Sequence, residues 1–375
     1  MTLDLRAWIN PQSYDNSYAS EGIAREAAYF STVPEPVTAQ PEYVVKEARE
    51  YEHAGYDSAT IPQSATWPDV TVTGTWALAH TRRLRVALAH RPGVQAPTYA
   101  ARALATLDRL CGGRTSVHLI LGGGADLDRD GDHADRDARY RRADEYLQIF
   151  IGMLERDEPF DFDGEFYSVR GAYSGPKPVQ QPRPLISTPA TSPEAIELAV
   201  SHADILAYAG LGLDDAAAQV QAARQAAGER ELGYWMNLNM LVGESDEAAR
   251  RHLAELEAAV ARLKEFRGGS GATIRSIRED RFADVEADAD QWRDGALYYG
   301  LTKLSRSAPV LVGSPQTIAE AVLAYHRLGF TVVSLGSHVT NERDAELRRE
   351  TLSLIHRQVA AEPVASGPPA PGSGS

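Results

Sequence analysis

A chain of 375 residues, 43% of them hydrophobic, can bury a sizeable core, either as one barrel-sized domain with insertions or as two domains. Its 52 acidic against 38 basic residues give a formal net charge of -14, which argues against a chain that coats phosphate backbones or anionic lipid, so neither nucleic acid nor a membrane is expected as a partner. The single cysteine, Cys111, excludes an intrachain disulfide, and the opening residues carry neither a basic segment nor a signal-type apolar run, so a cytoplasmic protein is expected.

From the N-terminus onward, periodicity alternates short apolar strands with longer amphipathic helices. Strands are predicted at residues 3–9, 57–62, 84–90, 115–121, 184–189, 204–209, 234–242 and 331–337. Helical patterns occupy 41–55, 69–80, 96–114, 138–155, 192–203, 214–228, 245–266, 314–329 and 344–361. Strands that alternate with helices imply parallel pairing through right-handed crossovers, and eight such units favour a closed (β/α)8 TIM barrel over an open sheet. Gly55, Gly112, Gly228 and Gly329 each follow a helical pattern and precede a strand, where left-handed caps belong. Ser192, Ser245 and Ser314 stand at N-cap positions, with Pro193 and Pro315 at the first helical position.

Three segments break this rhythm: residues 12–40 after the first strand, the polar loop 122–137 after the fourth, and 266–312 inside the last crossover. Long loops at strand C-terminal ends are where a barrel builds its site and lids, so 122–137 and 266–305 are expected to close over a bound ligand. Residues 1–361 read as the barrel domain; the Pro/Gly/Ser-rich tail 362–375 is expected to be disordered.

Ten histidines and one cysteine show no HxxxH, HExxH or CxxC spacing, so no metal site is expected, and no GxGxxG follows a strand to suggest a dinucleotide fold. The turn "TPATSPEAIELA", residues 188–199, leads from a strand into a helix whose free N–H groups would face an anion. On the residues alone, Ser192 reads first as a plain helix cap and Tyr140 as a packed helix residue.

The block "RPGVQAPTYAARALATLDRLCGGR", followed by "TSVHLILGGG", resembles the bacterial luciferase-like superfamily of flavin-dependent monooxygenases, and most closely its alkanesulfonate monooxygenase branch. "GYDSATIP", "ARYRRADEYLQIF", "FDFDGEFYSVRGA", "KPVQQPRPLIS" and "VLVGSPQTIAEAVLAYHRLG" agree in order and spacing, so the resemblance spans roughly residues 3 to 358. It implies an enzyme that uses reduced FMN, supplied by a separate flavin reductase, with molecular oxygen as co-substrate, and a chain that assembles as a homodimer or homotetramer.

The resemblance further implies that the flavin phosphate sits at the turn Ala190, Thr191, Ser192 with Tyr140 beside it, and that the ring contacts the exits of the second and third strands at Gln63, His90 and Arg91. His90 is otherwise readable as a core or loop histidine. At the substrate end the sequence departs from the alkanesulfonate enzymes: Asn237 and Asn239 replace an arginine and a histidine, Trp67 a cysteine, His338 a tyrosine, and Ser13 or a neighbour a histidine. Spaced two apart on a strand, Asn237 and Asn239 share one face. Two neutral amides would hold a buried sulfonate poorly, although Arg306 matches a mobile anion-binding arginine of the family. The expected substrate is therefore a small or carrier-tethered organic molecule, with His338, Asn239, Asn237 and Arg306 at the reacting end. The alternatives are an alkanesulfonate monooxygenase that releases sulfite and aldehyde, hydride transfer with a reduced deazaflavin, and a non-catalytic flavin-binding barrel.

Overall fold

The computed structural model describes residues 2–11, 23, 26–27, 38–189, 192–266, 291–305, 308–337, 339 and 341–362. Eight parallel strands form the wall: β1 (Asp4–Trp8), β2 (Ser58–Ile61), β3 (Arg85–His90), β4 (Thr115–Leu119), β7 (Ile186–Pro189), β8 (Ile205–Ala209), β9 (Gly233–Val242) and β13 (Phe330–Gly336). They pair in the order β9-β13-β1-β2-β3-β4-β7-β8, and β8 pairs again with β9, which closes the TIM barrel. All eight lie where the apolar alternation predicts them.

Helices fill the crossovers: α1 (Pro41–Ala54), α2 (Val70–Ala79), α3 (Pro97–Cys111), α4 (Ala125–Arg129), α5 (Arg136–Glu155), α6 (Pro193–His202), α7 (Leu213–Ala227), α8 (Asp246–Phe266), α9 (Gly300–Ser305), α10 (Pro315–Leu328) and α11 (Glu342–Ala361). Ser192, Ser245 and Ser314 cap α6, α8 and α10 by accepting the N–H three residues on. Among the described residues, no helix is long and apolar enough to cross a membrane.

Helix α3 shows how the units lock. Ala101, Leu104 and Ala105 bury its apolar stripe against the wall, while Gly112 turns the chain with φ 68°. The carboxylate of Asp108 is fully buried one turn earlier. It accepts from Thr115 Oγ1 at 2.9 Å and from the backbone N–H groups of Val179 and Gln180 at 2.8 and 3.1 Å, fastening the start of β4 to the approach of β7. A charge buried at this depth is tolerated only because donors surround it.

Two additions lie outside the eight units. A hairpin of β5 (Phe160–Asp163) and β6 (Ser168–Ala172) follows α5, and its turn donates three N–H groups, from Glu165, Phe166 and Tyr167, to the Glu145 carboxylate. Within the last crossover, β10 (Trp292–Arg293) and β11 (Leu297–Tyr298) pair antiparallel, and β11 pairs with β12 (Val310–Gly313), which runs parallel to the far half of β9. The polar segment 122–137, expected as a loop, contains α4, whose Leu127 is buried.

Strand register decides what faces the barrel axis. Arg6 stands opposite Ser58 and Ser334, and Ala207 opposite Trp235, so this phase of each strand points inward. The other phase, including Leu5, Ile9, Ile61, Val86 and Leu335, packs outward against the helices and forms the main apolar core.

Candidate active site

The strand C-terminal ends share one rim, and side chains of the inward phase close it from below. Trp235 is the centre of this floor. Its indole N–H donates to Ser334 Oγ at 2.7 Å, the Arg6 guanidinium lies 4.6 Å from its ring, and Trp8 and His118 flank it at 6.2 and 4.7 Å. Arg6 in turn bonds Ser58 Oγ and Asp4, so this cation of the floor is paired.

At the exit of β7, Tyr140 on α5 reaches across to the first turn of α6, and its hydroxyl lies 3.4 Å from Ser192 Oγ. The two residues expected around an anion are therefore brought together at a helix start, where Pro193 has no N–H and Ser192 Oγ accepts from the Ala195 N–H. Arg136 stands over the Tyr140 ring at 5.5 Å and pairs with Glu194 at 3.1 Å. Ala190 and Thr191, expected in the same turn, lie outside the described residues.

At the exit of β2, Gln63 Oε1 is buried without a hydrogen-bond partner among the described residues. At the exit of β3, Arg91 is 3% exposed and pairs with Asp130, which follows α4. Burial pulls its pKa down, opposed by Asp126 and Asp132. Arg142 pairs with Asp132 at 2.6 Å, and the Ser64 hydroxyl donates to Asp126 at 3.0 Å. The α4 segment is thus a strap tied to β2, β3 and α5. Gly122 lets it turn: its φ is +73°, and a Cβ there would meet Arg91 Cδ at 2.8 Å.

His90, expected at the cofactor ring, faces the opposite way. It shares the outward phase of β3 with Val86 and Leu88, so its imidazole enters the layer between the wall and α5. There it meets the Tyr146 hydroxyl at 2.6 Å and stacks on Phe150 at 5.8 Å. Burial pushes its pKa down to about 4.

At the substrate end, Asn239 is 6% exposed and its side-chain N–H donates to the Ala308 carbonyl at 2.6 Å, tying β9 to the lead-in of β12. Asn237, two residues earlier on the same face, is half-buried, with no side-chain hydrogen bond among the described residues. Trp67 is half-buried in the turn after β2. Arg306, His338 and Ser13 lie outside the described residues. Sequence reasoning passed over His118, although "TSVHLIL" places it in phase with Ser116 and out of phase with the apolar Val117 and Leu119.

A family model described as luciferase-like monooxygenase matches residues 27–332. Among solved structures the chain is similar to riboflavin lyase RcaE, determined with modified FMN and riboflavin, at 15% identity and a TM-score of 0.70 over 96% of this chain and 92% of that one. It is similar to DmoA from Hyphomicrobium sulfonivorans at 18% identity and a TM-score of 0.70, covering 100% of this chain and 91% of the other. The oxygenating constituent of 3,6-diketocamphane monooxygenase of Pseudomonas putida, a type II Baeyer-Villiger monooxygenase in complex with FMN, matches at 19% identity and a TM-score of 0.63, covering 97% and 99%. At these identities the likeness is one of fold.

Proposed function

The chain belongs to the luciferase-like monooxygenase family, and from that premise we propose that it is a flavin-dependent monooxygenase using reduced FMN and molecular oxygen on a small or carrier-tethered organic substrate. A separate flavin reductase supplies the cofactor in this reading. The observation that carries it is the meeting of Tyr140 and Ser192 at the start of α6. Two hydroxyls and a helix N-terminus suit a phosphate, the group that distinguishes FMN from an uncharged flavin.

Bound reduced FMN supplies the electrons that activate oxygen. The chain's own contribution is to hold and shelter. Tyr140, Ser192 and the turn through Ala190 and Thr191 anchor the phosphate, Gln63 and Arg91 stand at the ring end, and the α4 strap excludes water from the β2 and β3 exits. Asn237 offers an uncommitted amide to the substrate, with Asn239 held beside it and His338 and Arg306 assigned to the same rim. An amide donates and accepts without charge, which favours a neutral or hydrogen-bonding group over a fixed anion.

In this reading the protein works in the cytoplasm as a homo-oligomer. Val72 and Trp76 on α2 and Tyr99 on α3 stand exposed, and α2 carries no charged side chain, a surface that a second copy would cover. The test supplies reduced FMN from an independent reductase to the purified protein under 18O2, over a panel of neutral and anionic organic compounds. Transfer of one 18O atom to a product supports the proposal. Failure to bind FMN in either redox state would sink it.

A further inference from the structure

One inward side chain of the floor is committed to neither the phosphate corner nor the substrate rim. His118 enters the barrel from β4, is 9% exposed, and stands edge-on to Trp235 at 4.7 Å. Its two nitrogens differ. Nδ1 lies 3.0 Å from Ser187 Oγ, and the Ser187 hydroxyl donates its own hydrogen to the Val117 carbonyl at 3.2 Å. With that hydrogen committed, the serine oxygen can only accept, so Nδ1 carries the imidazole proton. Nε2, at the leading end of the ring, keeps a lone pair and has no hydrogen-bond partner among the described residues. Burial, helped by the Arg6 cation, pushes the pKa down to about 3, so the ring stays a neutral acceptor at ordinary pH.

The strand order gives this lone pair a place in the site. A molecule with its phosphate at Ser192, beyond β7, and its ring at the exits of β2 and β3 must cross β4, because the wall runs β2-β3-β4-β7. The ladder sets His118 opposite Ala89, two residues before Arg91. At the exit of β2, Gln63 Oε1, likewise buried and unpartnered among the described residues, is also an acceptor. Reduction adds N–H donors to a flavin ring and leaves its carbonyls in place. A fixed acceptor therefore gains a partner on reduction.

Resting on the flavin reading above, we propose that His118 is a cofactor-ring residue: its Nε2 accepts a hydrogen bond from an N–H that the flavin ring gains on reduction, with Ser187 and Trp235 fixing the imidazole that offers it. The site thereby selects the reduced cofactor.

Anaerobic titrations with reduced FMN and reduced riboflavin, paired with titrations of the oxidised forms, test this. His118→Leu should weaken both reduced flavins by the same factor, roughly tenfold for a buried donor left unpaired, with the oxidised forms nearly unchanged. His118→Gln, whose side-chain oxygen still accepts, should recover part of the loss. Ser187→Ala keeps the packing and frees the imidazole proton, so a several-fold loss confined to the reduced forms is expected even if His118→Leu folds poorly. Wild-type affinity for reduced FMN in Ser187→Ala or in a folded His118→Leu overturns the proposal, as does an equal loss in both redox states. A wild-type protein that binds no flavin in either state overturns the flavin reading and this proposal with it.

Discussion

The imidazole of His90 and the hydroxyl of Tyr146 meet at 2.6 Å on the outer wall of the barrel, sealed by Phe150. Burial pushes the tyrosine pKa well up, so its hydroxyl keeps its proton and donates it to the neutral ring. In the unfolded chain His90 takes a proton near its ordinary pKa of 6.5, whereas the folded chain refuses it down to about 4. Its contribution to stability is thus complete above pH 6.5 and declines as pH falls toward 4, by about 1.4 kcal/mol per pH unit within that window. His118 acts in the same direction, with its window reaching about 3. Melting temperatures from pH 7.5 to 4.5 should fall less steeply for His90→Gln than for the wild type, and parallel slopes would show that His90 is not the group refusing the proton.

The Tyr140 and Ser192 pair makes a prediction about ligand choice. Tyr140→Phe should weaken FMN by about tenfold, as expected for a hydrogen bond to a charged group, while leaving riboflavin within about a factor of two. Ser192→Ala should act the same way and also cost about 1 kcal/mol of stability through the lost cap of α6. Equal losses for both flavins would move the phosphate away from this turn.

The α4 strap should hold as a unit. Asp130→Asn removes the carboxylate paired with Arg91 and leaves Asp126 and Asp132 to balance the buried cation, so the loss should fall below the several kcal/mol of an isolated buried pair. Amide hydrogen exchange of residues 122–132 should then speed up by at least about tenfold, the equivalent of 1.4 kcal/mol of local stability. Reduced FMN should slow exchange there in the wild type. A strap as protected in Asp130→Asn as in the wild type would show that the Arg142 and Asp132 pair suffices alone.

Asn237 and Asn239 should separate under mutation. Asn239→Ala removes the bond to the Ala308 carbonyl and should cost about 1–3 kcal/mol of stability, whereas Asn237→Ala should cost little and act on substrate turnover. Short alkanesulfonates should yield little sulfite with the wild type, and Asn237→Arg should raise that yield more than the double change with Asn239→His, which also breaks the tie to β12. Efficient sulfite release by the unmodified protein would restore the alkanesulfonate reading.

The barrel was legible because the wall strands carry mostly apolar outward phases and several of the helices between them end on glycine or begin on serine. The β5-β6 hairpin was not: "FDFD" and "SVRGA" are largely exposed, and their pairing depends on Glu145, an acid on a distant helix turn. The strands β10 and β11 are two residues each, too short for any period. Within the site, the meeting of Tyr140 with Ser192 was expected from family motifs, not from spacing. His90 misled because nearness to a strand exit says nothing about phase; Arg85, Ala87 and Ala89 occupy the inward phase of β3 and leave His90 outside. The same parity argument would have found His118.

Strand β9 is longer than its neighbours for a reason with reach beyond this barrel. On one edge it pairs with β8 up to Asn237 and with β12 from Asn239 onward, so the wall forks between the two asparagines. Asn237 belongs to the closed cylinder and Asn239 to the appended sheet. A change of length or register in the last crossover re-aims Asn239 through Ala308 while Asn237 keeps its place. Grafting that crossover from a relative would therefore retune one half of the substrate rim and leave the flavin half untouched, which makes the fork a natural seam for recombination.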